Sequence, residues 1–205
     1  MSRHDRSGDQ LSEVSDYFSS VYDVLTRMPL REIDRLVEVL HAAHNRGAAL
    51  FLFGNGGSAA LASHMACDLG KGTSDLCPVR MRALSLTDNV PLITAWSNDT
   101  AYEHVFAEQL KNFITCGDVA FAISGSGNSP NVLNALRVAR SAGAVTVGIT
   151  GFQGGKMREL CDVCVVVPSN NVQVIEDIHV ITAHGVFTAL RARMRNPGVL
   201  AAAAD

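Results

Sequence analysis

Four side chains have the types and spacing to move protons or hold a divalent cation: His64, Asp68, Glu176 and His184. His64 and Asp68 stand four positions apart in a segment that scans as a helix. At ~1.5 Å per residue they lie one turn apart on a single face. The second pair belongs to VIEDIHVITAH, where Glu176, Asp177, His179 and His184 are set among Val, Ile and Ala. A segment this apolar is suited to burial, and buried carboxylates and imidazoles need partners. Together His64, Asp68, Glu176 and His184 form an N/O donor set for a divalent metal. They equally supply a carboxylate base and an imidazole acid. One constraint stands against a single cluster: Glu176 and His184 are ~12 Å apart along an ideal helix. Both reach one point only by leaning together, or if the first residues are not helical; spacing alone pairs Glu176 with His179. His41, His44 and His104 read as structural.

Two glycine- and serine-rich turns give this chemistry something to act on. GNGGS, residues 54–58, contributes Asn55, Gly56, Gly57 and Ser58, and it directly precedes the helix that carries His64. SGSGNS, residues 124–129, contributes Ser124, Gly125, Ser126 and Ser129 in front of a proline-initiated helix. Glycines allow close backbone approach, and the helix starts that follow offer unpaired N–H groups and partial positive charge. The serine hydroxyls can donate to phosphate oxygens. GNGGSA also comes close to a dinucleotide fingerprint. That reading needs an acidic residue about twenty positions on, at the end of the second strand. Asp75 precedes that strand and Asp88 comes late, so phosphate binding without a dinucleotide is expected.

The elements that must position these groups follow from apolar patterning. Helical spacing predicts helices at 11–26 and 30–46, broken at Met28-Pro29. Beyond them the chain alternates. Apolar runs at 48–53, 81–86, 119–124, 145–150 and 163–167 predict strands. Helices are predicted at 58–69, 90–95, 102–113, 130–142, 155–160 and, at greatest length, 172–194. Such alternation implies an α/β fold, a doubly wound five-stranded parallel sheet flanked by helices, with N-terminal helices and a long C-terminal helix. Ligands of such sheets bind beyond the carboxyl ends of the strands, where both turns fall. Residues 11–195 are expected to form one domain, with 1–10 a leader and 196–205 a flexible tail.

Composition bounds the function. The 205 residues are 47% hydrophobic and 18% charged with net charge −3, as in a globular domain. No basic run is present to neutralise a nucleic-acid backbone, so no nucleic-acid partner is expected and any phosphate must be held by backbone N–H groups and hydroxyls. No apolar run reaches the ~18 residues of a membrane span, and MSRHDRSGDQ lacks the apolar core of a signal peptide. A cytoplasmic protein is expected. Five cysteines argue against a disulfide framework. Cys161 and Cys164 form a CxxC at the start of a strand rather than of a helix, which reads as two buried thiols.

The motifs carry a more specific likeness. The chain resembles the sugar isomerase (SIS) family, and within it the phosphoheptose isomerases, over residues 30–191. The resemblance rests on GNGGS, the His64–Asp68 pair, SND at 97–99, ISGSGNS at 123–129, TGFQGGK at 150–156 and EDIHVITAH. It implies a homotetramer with active sites between subunits, and conversion of sedoheptulose 7-phosphate to a glycero-manno-heptose 7-phosphate. It implies that positions matching Asn55, Gly56, Gly57, Asn98, Asp99, Ser124, Ser126 and Ser129 contact the sugar phosphate. It further implies zinc at His64, Asp68, Glu176 and His184, with Asp68 and His184 also catalytic. The family usually has glutamate at position 68 and glutamine at position 176, so this chain differs at two of the four places. A non-catalytic SIS adaptor or sugar-phosphate sensor is the alternative; retention of both histidines favours the enzyme.

Overall fold

The computed structural model describes residues 12–76 and 79–195. The expected leader and tail, residues 1–10 and 196–205, lie outside these. Two helices, α1 (Ser12–Thr26) and α2 (Leu30–Asn45), precede the sheet. Then follow β1 (Ala49–Gly54), α3 (Gly57–Gly72), β2 (Arg82–Ser85), α4 (Val90–Asp99), a 3-10 turn (Tyr102–His104), α5 (Ala107–Lys111) and β3 (Val119–Ser124). The chain continues with α6 (Pro130–Ser141), β4 (Val145–Thr150), α7 (Met157–Leu160), β5 (Val163–Val166) and α8 (Val172–Arg195). The sheet order is β2-β1-β3-β4-β5 and every pairing is parallel, as the sequence alternation predicts.

The central strands β1 and β3 are buried at every position, because helices cover both faces. The strand period of two sorts their side chains. Leu50, Leu52, Phe121 and Ile123 join α2, α3 and α8 on one side; Phe51, Phe53, Ala120 and Ala122 join α5, α6 and α7 on the other. A third cluster seats α1 on α8 through Val24, Val174, Ile175 and Ile178. Each Leu, Ile, Val or Phe buried this way contributes about 1.5–3 kcal/mol relative to exposure.

Three boundaries depart from the sequence expectation. Helix α3 runs past Leu69 to Gly72, where the missing side chain leaves room for α8: a Cβ there would lie 2.5 Å from the Phe187 ring. Helix α4 extends to Asp99. The single helix expected over 102–113 is broken into the 3-10 turn and α5. Val105, Phe106 and Ala107, at the break, are all buried. Cys161 and Cys164 are free, half-buried thiols. Their mutual hydrogen bond, then burial, pushes the Cys161 thiol up. Among the described residues no helix is long and apolar enough to cross a membrane.

Candidate functional site

Both glycine-serine turns lie at carboxyl ends of adjacent strands, β1 and β3. They wall a cleft of roughly 300 Å³ lined by Asn55, Ser58, Ser124, Gly125, Ser126 and Ser129, with Glu176 and Val172 of α8 opposite and Phe152 at its side. Gly56 is the N-cap of α3 and Gly57 its first residue; the Ser58 N–H donates to Asn55 O and the Ala59 N–H to Gly56 O, both at 3.0 Å, so the turn is closed on itself and the positive end of α3 faces the cleft. Ser129 is the N-cap of α6, yet its hydroxyl caps nothing; its oxygen stands 3.5 Å from that of Ser124. The serine turn is held rigidly from behind. Gly127 has φ +63°, and a Cβ there would meet the Gly154 carbonyl oxygen at 2.2 Å. The Met157 N–H donates to Gly127 O at 3.0 Å, and the Gly151 N–H donates to Gly125 O at 2.9 Å. Residues 150–157 therefore act as a buttress. Phe152 takes φ +51°, a sparsely populated conformation for a bulky residue, at the cleft wall.

The imidazoles lie further along the groove where α3 packs on α8. His64 Nε2 is 3.4 Å from Asp68 Oδ2 and 3.5 Å from His184 Nε2. The two rings meet edge to face with centroids 5.0 Å apart. Ligand atoms of His64, Asp68 and His184 all fall within 4.8 Å of one another. Zinc bonds of ~2.0–2.1 Å in a tetrahedron imply ligand–ligand separations of about 3.3–3.4 Å, close to the two distances found. The third pair lies within 4.8 Å, and two imidazoles with a carboxylate are donor types that zinc accepts.

Glu176 is not part of that cluster. Helix α8 is regular from Val172 onward, so the ~12 Å of helix between Glu176 and His184 is not shortened. The four-ligand set inferred from sequence therefore reduces, within one chain, to three. Glu176 instead stands beside the first turn: a Cβ at Gly57 would lie 3.2 Å from Glu176 Oε2. Asn98 and Asp99 do not line the cleft either. They sit at the exposed end of α4, with Asn98 Nδ2 donating to Asp99 Oδ1 at 2.8 Å.

Asn131 and Tyr102, near the site, gave no sequence signal. Asn131 of α6 exchanges two hydrogen bonds with Asn55, and Tyr102 adds a third. Asp177 accepts from the Tyr17 hydroxyl of α1 at 2.5 Å, which raises the Tyr17 phenol above its ordinary range. His179 is 1% exposed. Neither of its ring nitrogens has a well-placed hydrogen-bond partner among the described residues, although the Thr150 backbone lies close enough to oppose part of the effect of burial. That burial holds the imidazole neutral, lowered to about 4. His44 is buried and lowered in the same direction, consistent with a structural role.

Parallel sheet, paired phosphate-sized turns and a histidine-bearing terminal helix define the SIS class of α/β proteins. The SIS domain family matches residues 16–151. A phosphoheptose isomerase of Bradyrhizobium sp. (strain ORS 278) is 41% identical over 165 residues, covering 80% of this chain and 83% of that protein. A phosphoheptose isomerase of Aliarcobacter butzleri is 42% identical over 159 residues, 77% of this chain and 82% of the relative. Among solved structures, phosphoheptose isomerase GmhA from Neisseria gonorrhoeae superposes with a TM-score of 0.82 at 26% identity, covering 88% of this chain and 98% of that one. The chain belongs to the SIS domain family, and within it to the phosphoheptose isomerases.

Proposed function

We propose that this protein is an aldose–ketose isomerase that converts sedoheptulose 7-phosphate to D-glycero-D-manno-heptose 7-phosphate through an enediol. The observation that carries the reading is the joint placement, along one α3–α8 groove, of a hydroxyl-lined anion cleft and a cluster of two imidazoles and a carboxylate. His64 stands seven positions after Gly57 in α3, ~10 Å of helix. That matches the reach of a heptose phosphate, which carries its phosphate at one end and its reacting carbons at the other. The similarity to phosphoheptose isomerases supports the same substrate.

The phosphate docks on the 54–58 and 124–129 turns, and its binding energy is converted into orientation at C1 and C2. Asp68 takes the proton from one carbon and His184 serves as the partnering acid, while His64 holds substrate hydroxyls or the metal. Glu176, alone in the cleft as a carboxylate, is the competing base. His64, Asp68 and His184 would hold zinc, which supplies Lewis-acid polarisation of the carbonyl. Asn98 and Asp99 are proposed to reach the substrate of a neighbouring copy. A cytoplasmic homotetramer with sites completed between subunits is part of the same proposal; four free cysteines among the described residues suit a reducing compartment.

The test is direct. Incubation with sedoheptulose 7-phosphate, followed by NMR for the aldose product with and without chelator, is expected to show turnover; none under either condition refutes the isomerase. His184→Ala is expected to lower kcat about 10²-fold or more while leaving phosphate-ester binding largely intact.

A further inference from the structure

The amide of Asn55, at the edge of the cleft, is not free to choose which end faces a ligand. Its Nδ2 donates to Asn131 Oδ1 at 2.9 Å. Its Oδ1 accepts from Asn131 Nδ2 at 2.8 Å and from the Tyr102 hydroxyl at 3.0 Å. Asn131 Oδ1 also accepts the backbone N–H of Val132 at 3.0 Å. An amide side chain can be placed either way round by shape alone, and its hydrogen-bond partners decide the orientation. Here the deciding partner is a backbone N–H, which can only donate. It fixes Asn131 Oδ1 on its own side, so Asn131 Nδ2 must face Asn55 Oδ1, and Asn55 Nδ2 must face back. Asn131 is 2% exposed and is the second residue of α6. A polarity set in the interior is thereby passed to the cleft edge.

The count of donors and acceptors then closes. Both acceptor sites of Asn55 Oδ1 are filled, one hydrogen of Nδ2 is used, and one remains. We infer that Asn131 and Tyr102 are positioning residues that lock Asn55 as a pure hydrogen-bond donor toward the bound sugar phosphate. The cleft then offers an N–H to a phosphate or hydroxyl oxygen at that point and disfavours a ligand that presents a donor there. This rests on the proposed function for the identity of the ligand, and not for the orientation of the amide. Tyr102 is half exposed on the 3-10 turn before α5, so its phenol closes the chain from the solvent side.

A double-mutant cycle tests it. Steady-state turnover and calorimetric Kd for sedoheptulose 7-phosphate are measured on the wild type, Tyr102→Phe, Asn131→Asp, Asn55→Ala and Tyr102→Phe/Asn55→Ala. Tyr102→Phe, conservative and near the surface, is expected to raise KM and Kd about 3- to 10-fold with kcat within about two-fold. Asn131→Asp, whose carboxylate cannot donate to Asn55, is expected to raise both about 10-fold or more. In the Asn55→Ala background, Tyr102→Phe is expected to have no further effect. An equal loss in both backgrounds overturns the inference, because the phenol would then act on ligand or fold independently of Asn55. Unchanged KM and Kd in Tyr102→Phe overturn it too. If the wild type binds the sugar without turnover, the isomerase reading falls and the inference stands or falls on Kd. If it binds no sugar phosphate, both fall.

Discussion

At the residue scale the site separates two carboxylates that the family resemblance grouped and that helix spacing already set apart. Asp68 lies within 3.4 Å of the His64 ring, whereas Glu176 lies by Gly57 at the anion turns. A base must reach the carbon-bound proton, and the reacting carbons of a seven-carbon chain anchored by its terminal phosphate lie far from the phosphate. Asp68 is therefore the base we propose. Asp68→Asn is expected to reduce kcat about 10²-fold or more, and Glu176→Gln to stay within about ten-fold of wild type. Steady-state kinetics of the two variants decide the matter, and the reverse ranking transfers the role to Glu176. Glu176→Gln also removes a negative charge from the phosphate cleft, so its KM is expected to fall.

At the scale of elements, the strands and both turns were legible because their cause is local. Continuous apolar runs predict buried parallel strands, and glycine and serine after a strand predict an anion turn. The His64–Asp68 pair was legible for the same reason, since helix geometry alone puts both side chains on one face. The break within 102–113 was not, because no glycine or proline marks it and the apolar spacing runs through it. Asn131 and Tyr102 were invisible for another reason: they act on Asn55 across 76 and 47 residues of sequence. Helix α8 carries a consequence of its own in His179. The unfolded chain takes up a proton near the usual 6.5, and the folded imidazole does not until about 4. Between these values the unfolded state binds more protons, so stability falls as pH drops from about 6.5 to about 4, by about 3 kcal/mol in all. His41 and His44 are lowered mainly by burial and add to the trend in the same direction. Urea denaturation at pH 7 and pH 4.5 is expected to show the drop, with a shallower one in His179→Leu; an unchanged pH slope in that variant rules this source out.

At the scale of the whole molecule, helix α1 carries one broad apolar face of which only a flank is covered. Tyr17, Val21 and Leu25 pack toward α8, while Val14, Phe18 and Tyr22, spaced four apart, are 57%, 66% and 67% exposed. At 100° per residue the two sets are adjacent flanks of one face, and exposed apolar patches of this kind mark contact surfaces. A second copy of the chain is the proposed cover. Sedimentation velocity is expected to find a tetramer for the wild type and smaller species for Phe18→Asp/Tyr22→Asp, with activity lost in proportion if a neighbour completes each site. A wild-type monomer would refute the assembly. The distance between the anion turns and the histidine pair has one more effect. Everything that grips the ester end of the sugar is remote from the atoms that change, so ketose and aldose are held alike. Product should thus compete with reactant from the first turnovers, leaving direction of flux to whichever later step removes the aldose.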